Sequence, residues 1–383
     1  MGFDFIVFGA TGMQGRIASR DLLENSYSVL LCGRDKSQIE SLLKKHKKAS
    51  FQYVDLKNTD QISKAIEKSG ADVAVNCAEL TFNIPIMRAC INTKRSVTDL
   101  GGLQHVTSKQ FELFNEFKKA GVINVTGCGS TPGISNIMAA YGIRDLDSVN
   151  SIDLGFAWDS NIKKFVVPYS IQSIFDEFTE APTVLINGKL KQSDRMVCQG
   201  TFDFKEIGKQ TTYCIVHSEV YTFNKYFKDK GLKDVHYLAG FPDHSMNVLR
   251  VLMGLGFNSK EFVEINGVKI SKLDFTTQVL KKVKIPRGYK EVENIWVKIV
   301  GKKGNKVVKR NFNCIVKTLK GWEEAGSNID TGRTISIISQ MLKKSLIKEK
   351  GVFAPEAVVP QEIFFKELAK RKMIVYENGR KIN

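Results

Sequence analysis

Long apolar runs are missing from this chain: no stretch of its 383 residues reaches the length of a membrane-spanning helix. Missing too is any pair of cysteines at C-x-x-C spacing. The seven cysteines, at 32, 77, 90, 128, 198, 214 and 314, are odd in number. That argues against a zinc site or a disulfide framework and for a reducing, cytoplasmic compartment. No internal repeat or low-complexity segment is visible, which excludes solenoids and collagen-like arrays. Asp4 interrupts the first apolar run, so no signal peptide is expected. Acidic charge is in deficit, leaving a formal net charge of +17. Such a balance admits an acidic substrate, a phosphorylated cofactor or nucleic acid. The basic residues, however, are spread along the chain, densest over residues 298–310, as on a solvated surface. Without a nucleic-acid motif, neither nucleic acid nor a membrane is an expected partner.

What is present begins at the N-terminus. Four apolar residues, Phe5 to Phe8, read as a buried strand, and Gly9-Ala10-Thr11-Gly12-Met13-Gln14-Gly15 follows before an amphipathic run. Strand, glycine turn and helix form the phosphate-binding start of a dinucleotide fold. Gly9 permits the turn, Gly12 lets backbone approach a pyrophosphate, and Gly15 lets helix pack on strand. Thr11, Met13 and Gln14 complete the expected cradle at a helix N-terminus. The spacing is G-x-x-G-x-x-G rather than the strict G-x-G-x-x-G. Apolar strands predicted at 27–32, 51–54, 71–77, 96–99 and 122–125 alternate with helices at 37–48, 60–68, 84–92 and 108–119. That alternation predicts an α/β domain built on a doubly wound parallel (Rossmann) sheet.

The end of the second strand bears on cofactor choice. NAD-binding folds place an acid there, and this chain has Gly33 followed by Arg34, suited to the 2′-phosphate of NADP. Asp35 reads as a helix cap and keeps NAD possible. Further cofactor contacts are expected from Asp55, Cys77, Ala78 and Gly101, in loops at strand ends, and Asp99 is a candidate to face the nicotinamide or the substrate. The run from Gly127 to Asn136, Gly-Cys-Gly-Ser-Thr-Pro-Gly-Ile-Ser-Asn, is the most constrained turn in the sequence. Cys128 within it reads better as a small buried side chain than as a nucleophile.

With these motifs the chain resembles the saccharopine dehydrogenase (reductase) family, which includes lysine 6-dehydrogenase-like proteins. The resemblance rests on the N-terminal glycine turn, on Asp99-Leu100-Gly101-Gly102 and on the 127–136 run. It continues in Pro168-Tyr169-Ser170, Asp176-Glu177-Phe178 and Gly351-Val352-Phe353-Ala354-Pro355-Glu356. It implies an NAD(P)-dependent oxidoreductase acting on a C–N bond of a lysine-type amino acid such as saccharopine or lysine, with relatives acting on polyamines, and a homodimer. Where relatives often carry Arg before an aromatic-Pro-x-His segment, this chain has Gly240.

From about Val149 the alternation stops. Strands at 152–157, 183–186, 211–216, 295–300 and 307–316 predict a second, α+β domain on a mixed or antiparallel sheet, whose exposed edge or open face is the expected dimer surface. A helix at 331–346, apolar along Ile335, Ile338, Leu342 and Leu346, leads the tail back to the first domain. The expected division is a nucleotide domain over 1–145, a substrate and dimerisation domain over 146–330 and a returning segment over 331–383. Catalytic candidates are Asp99, Tyr169 and His217. Glu219, His244 and Arg250 are expected to bind the substrate, because a zwitterion needs a cation for its carboxylate and an acceptor for its ammonium. No metal site is expected. Two rival readings are a short-chain-type carbonyl reductase and a non-catalytic NADP-binding sensor. The Tyr-x-x-x-Lys pairs of the first, at Tyr53, Tyr221 and Tyr226, all fall outside a nucleotide-domain helix.

Overall fold

The computed structural model describes residues 2–194 and 199–383. Phe5–Phe8 (β1), Val29–Gly33 (β2), Ala49–Tyr53 (β3), Val73–Asn76 (β4), Ser96–Asp99 (β5), Ile123–Val125 (β6) and a late strand, Gly351–Phe353, form one parallel sheet. Its order is Gly351–Phe353, β6, β5, β4, β1, β2, β3. The chain reverses direction across the sheet between β1 and β4, and that crevice is where such sheets bind ligands. β1, β2 and β4 are buried at every position, whereas the edge strand β3 is half exposed. Continuous apolar sequence thus marks the strands covered on both faces. Two predicted helices are broken. Residues 37–48 fold as a 3-10 turn, Lys36–Ile39, and a short helix, Glu40–Lys45, while residues 108–119 divide between Gln104–Glu112 and Phe114–Ala120.

The second sheet is mixed. Its main path runs Gln199–Phe204, Gly208–Cys214, Asp234–Gly240, Ser148–Ser160, Glu291–Lys303, Lys306–Lys317, Ile374–Glu377 and Arg380–Lys381. Asp234–Gly240 and Ser148–Ser160 are parallel, and the long hairpin Glu291–Lys303/Lys306–Lys317 closes through Gly304 and Asn305. Trp158, Trp296 and Tyr237 are its largest fully buried side chains. Five cysteines, at 32, 77, 90, 128 and 314, are free thiols, but Cys214 is disulfide-bonded. This departs from the expectation drawn from an odd count and loose spacing, neither of which excludes a single bridge. Cys198 lies outside the described residues.

The tail locks the two sheets together. The helix Ile329–Lys343 crosses Met13–Glu24 (α1) so closely that a Cβ on Gly332 would lie 2.5 Å from Ile17. Arg371 then holds the buried Asp21 of α1 through Nε and Nη2, both at 2.9 Å from a carboxylate oxygen. The tail does not stay with the first sheet: after Gly351–Phe353 it returns to the second through Ile374–Glu377. No helix among the described residues is long and apolar enough to cross a membrane.

Candidate active site

Backbone builds the first wall of the crevice. Gly9 has φ 71°, and a Cβ there would press on the Cys77–Ala78 backbone at 2.7 Å. A Cβ on Gly15 would sit 2.1 Å from the Gly9 carbonyl, so α1 can meet β1 only through a glycine. Gly12 differs: it is exposed, and the one nearby atom is the Gly9 carbonyl at 3.3 Å. Open space therefore lies over the first turn of α1, where free N–H groups and the helix dipole suit a pyrophosphate. Met13 is exposed and Gln14 half-buried, with Gln14 Nε2 donating to Asn328 Oδ1 at 3.2 Å. At the end of β2 the Thr11 side chain covers Gly33, leaving 2.5 Å for a Cβ, so no acid fits there. Asp35 is committed to Ser37 as a cap, accepting from its N–H at 3.0 Å and its Oγ at 2.6 Å. Arg34 is exposed between them. This cradle fits a dinucleotide bearing a 2′-phosphate. Asp55 lies at the end of β3 and accepts from the Lys57 N–H, while Cys77 and Ala78 line the strand end beside Gly9.

Asp99 is enclosed rather than presented. It is 1% exposed and accepts from the Gly101 N–H at 2.9 Å, Gln110 Nε2 at 2.8 Å, Asn124 Nδ2 at 3.0 Å and Thr126 Oγ1 at 2.9 Å. Burial raises its pKa against these bonds. With both oxygens occupied by protein donors, it ties the Gly101 loop to β6, and in this structure it does not reach the cleft. Gly101 itself packs on Gly127, 2.7 Å from a would-be Cβ.

The second wall is made of carboxylates, and the 127–136 turn joins it to the first. Thr131 Oγ1 accepts from the Tyr237 hydroxyl at 2.7 Å, Ser135 Oγ donates to Glu219 Oε1 at 3.2 Å, and Asn136 Nδ2 donates to Glu356 Oε2 at 2.7 Å. Ser130 Oγ accepts from Thr331 Oγ1 at 3.0 Å. His217 Nδ1 bonds Glu219 Oε2, and its ring stacks on Tyr237 at 3.9 Å. The Tyr169 hydroxyl donates to Glu177 Oε2 at 2.7 Å. Burial pushes Glu177 up to about 7, against the pull of His217 and Tyr169. Burial alone would lower His217, but the charge and hydrogen bond of Glu219 carry it up. Tyr169 is raised well above its ordinary value by burial and by Glu177. Glu356 and Asp330, each withdrawn from water, both reach about 7. Glu293 stands opposite Trp158 in the second sheet and is raised by burial and by Asp330. Two of these groups keep an unpartnered buried oxygen, Oε1 of Glu356 and Oδ2 of Asp330.

The structure therefore brings Tyr169, His217 and Glu219 together and leaves two other candidates apart. Arg250 is exposed on the helix Asp243–Gly254, its guanidinium spent on the Tyr213 hydroxyl and 5.2 Å from that ring. It faces outward because Met246 and Leu249 take the buried face of that helix. His244 is half-buried near Asp159 and Lys163, and its pKa is lowered by burial. Sequence reasoning did not assign Glu177, Tyr237, Glu293, Asp330 and Glu356 to the site. Glu177 and Glu356 stood inside segments quoted for their family resemblance. Glu293 and Asp330 lie just before the predicted strand at 295–300 and helix at 331–346, in polar stretches that gave no signal. Cys128 is fully buried, with Sγ directed at the Val125 carbonyl and its thiol pushed up by burial. No His/Cys/Asp/Glu group able to hold a metal occurs among the described residues.

Residues 5–125 match the saccharopine dehydrogenase NADP binding domain, and residues 129–374 match the saccharopine dehydrogenase C-terminal domain. Carboxyaminopropylagmatine dehydrogenase of Synechocystis sp. is 22% identical over 376 residues, covering 94% of each chain. Carboxynorspermidine synthase of Vibrio alginolyticus is 24% identical over 297 residues, 72% of this chain and 70% of that one. In fold, apo saccharopine dehydrogenase (L-Glu forming) of Saccharomyces cerevisiae matches over 100% of both chains, with a TM-score of 0.77 at 14% identity.

Proposed function

Because the chain belongs to the saccharopine dehydrogenase family and carries its NADP-binding domain, we propose that it makes or breaks a C–N bond of an amine bearing more than one positive charge, of the polyamine or lysine type. The carrying observation is the carboxylate wall. Among the described residues, the hydrogen bonds recorded for Glu177, Glu219, Asp330 and Glu356 involve no lysine or arginine, and His217, held by Glu219 and felt by Glu177, is the one cationic group among their partners. One imidazole does not balance four buried carboxylates, which are costly to leave unpaired, and a substrate ammonium would supply further positive charge. The same wall disfavours substrates that are mainly anionic, saccharopine included. The polyamine chemistry in the names of two relatives points in the same direction.

NADPH, when bound, supplies or receives the hydride. The Gly9-to-Gly15 turn and Arg34 would hold it. In the reductive direction an amine and a carbonyl condense with loss of water, the imine carbon gains hydride, and one proton remains on nitrogen. Glu177 and Glu356, the latter with Oε1 unpartnered, orient the cationic amine, and Glu219, bonded on both oxygens by Ser135 and His217, sets the charge behind them. Tyr169 and His217, each backed by a carboxylate, are the groups suited to pass the proton.

The test is NADPH oxidation followed by absorbance, offering carbonyl acids with lysine or with diamines, and saccharopine with NADP+ in the reverse direction. The expected result is turnover that requires both a carbonyl acid and a diamine or lysine. Oxidation with a carbonyl alone would favour a carbonyl reductase. NADPH binding without turnover on any pair would favour a sensor.

A further inference from the structure

A short stretch ahead of the returning helix bonds to four separate parts of the molecule. The 3-10 turn Glu323–Asn328 leads into the helix Ile329–Lys343. Gly326, at φ 57°, brings the chain so close to the second sheet that a Cβ there would lie 1.6 Å from Glu291 Oε1. That oxygen accepts from the Ser327 N–H at 3.0 Å. Glu324 pairs with Arg20 of α1 at 3.2 Å, and Thr331 Oγ1 donates to Ser130 Oγ of the 127–136 turn at 3.0 Å. The backbone is thereby fixed on both sides of Asn328.

Asn328 stands at the N-cap of that helix, where asparagine ordinarily accepts from first-turn N–H groups, yet its side chain makes no capping bond. Each end of its amide instead reaches a different segment. Oδ1 accepts from Gln14 Nε2 at 3.2 Å, in the first turn of α1, and Nδ2 donates to the Pro168 carbonyl at 2.6 Å. Pro168 directly precedes Tyr169, whose hydroxyl donates to Glu177. The chain between Ser160 and Ile171 is neither helix nor strand, so no ladder of backbone bonds fixes Tyr169. Asn328 bonds the carbonyl next to it. On the other side, Gln14 Oε1 is buried without a partner, and the bond to Asn328 holds the Gln14 amide.

On the reading proposed above, in which the glycine turn holds NADPH and Tyr169 passes a proton, we propose that Asn328 is a positioning residue that relays cofactor binding to Tyr169. Resonance keeps an amide planar, so its two ends move together. A pyrophosphate drawn to the first-turn N–H groups of α1 orders Gln14 among them. Gln14 then fixes Oδ1 of Asn328, and Nδ2 holds the Pro168 carbonyl and the Tyr169 backbone that follows it. The hydroxyl is set in place once the cofactor is present. By linkage, an amine seated against Tyr169 favours cofactor binding in return.

Hydrogen exchange followed by mass spectrometry on the full chain, with and without saturating NADPH, reads this relay without a substrate. In wild type, NADPH should slow exchange over residues 9–16 and, by about tenfold, over residues 161–171. Asn328→Asp keeps an acceptor for Gln14 and loses the donor to Pro168, so it should retain the first effect and lose the second. Gln14→Met cuts the relay at its other end and should also lose the second. With the amine and carbonyl acid that support turnover, Asn328→Asp should lower kcat by about tenfold and leave the KM for NADPH near wild type. Slowing over 161–171 that is absent from wild type, or that survives both substitutions, would overturn the proposal and leave the cofactor site standing. So would a loss confined to the KM for NADPH. No slowing over 9–16 in wild type would overturn the reading of the glycine turn, and the relay with it.

Discussion

In the proposed site, the nucleotide wall and the substrate wall would recognise charge by different means. The nucleotide wall uses backbone: Gly12 is bare, and the first turn of α1 offers N–H groups to phosphate. On the proposed reading the substrate wall uses side chains from separate segments: Glu219 and Glu356 bond Ser135 and Asn136 of the 127–136 turn, and Glu177 bonds Tyr169. Backbone recognition must be local, since consecutive N–H groups form the site. Side-chain recognition can be assembled from anywhere the fold brings together. The first wall is therefore compact in sequence and the second dispersed. The net charge of +17 misleads for the same reason. Lysines spread over the surface dominate the count, while the acids that define the site number only a few and are buried.

The strongest break of the comparison lies within the glycine turn. Gly15→Val should unfold or badly destabilise the first domain, by about 4 kcal/mol or more, because its Cβ would lie 2.1 Å from the Gly9 carbonyl oxygen, a clash that backbone cannot relieve. Gly12→Val should leave the melting temperature near wild type and reduce NADPH affinity by roughly two orders of magnitude. Fluorescence titration beside thermal melts separates the two, and equal loss of stability would show Gly12 to be structural. On the other wall, Glu219→Gln removes a charge-assisted contact of about 1.5–3 kcal/mol. It should raise KM for the amine by roughly 10- to 100-fold and leave NADPH affinity alone. A smaller effect, about tenfold or more on NADPH and much less on NADH, is expected for Arg34→Ala; equal effects on both cofactors would detach Arg34 from the 2′-phosphate.

The mildest expected effect is on stability against pH. Glu177, Glu356 and Asp330 have folded pKa values of about 7, raised above their ordinary values by burial. Groups raised in this way bind more protons folded than unfolded, so their contribution to stability is full below about pH 4 and is lost as pH rises through about 7. Thermal melts of the ligand-free protein should fall over that interval, and Glu356→Gln should flatten the decline. A melting temperature that rises over the same interval would mean the carboxylates are already paired.

Much of the fold was legible for physical reasons that are local. Strands buried on both faces are continuous in apolar residues, and β1, β2 and β4 were placed on that ground. The Thr331-to-Leu346 pattern located the returning helix, though it ends at Lys343 and leaves Leu346 exposed. Less legible was whatever depends on distant partners. The hairpin at 262–271 is an exception: Val263, Ile265, Val268 and Ile270 alternate around Asn266-Gly267, a local hairpin signal that went unread. Arg250 looked like a substrate ligand from its place on an amphipathic helix, but Met246 and Leu249 set the face and turned it to solvent. Asp99 was found as an acid at a strand end, yet Gln110, Asn124 and Thr126, which occupy it, are gathered by tertiary packing. Tyr169, His217 and Glu219 do converge, while Glu356, more than a hundred residues further on, needed the tail's return beside β6.

Calorimetric titration of a diamine into the protein saturated with NADP+, near pH 7 and in two buffers of different ionisation enthalpy, tests the carboxylate wall most directly. An ammonium entering among half-protonated carboxylates lowers their pKa values, so binding should release protons, and Glu219→Gln should weaken it. Binding with no proton release, or binding that Glu219→Gln does not affect, would contradict the assignment of this wall to a cationic amine.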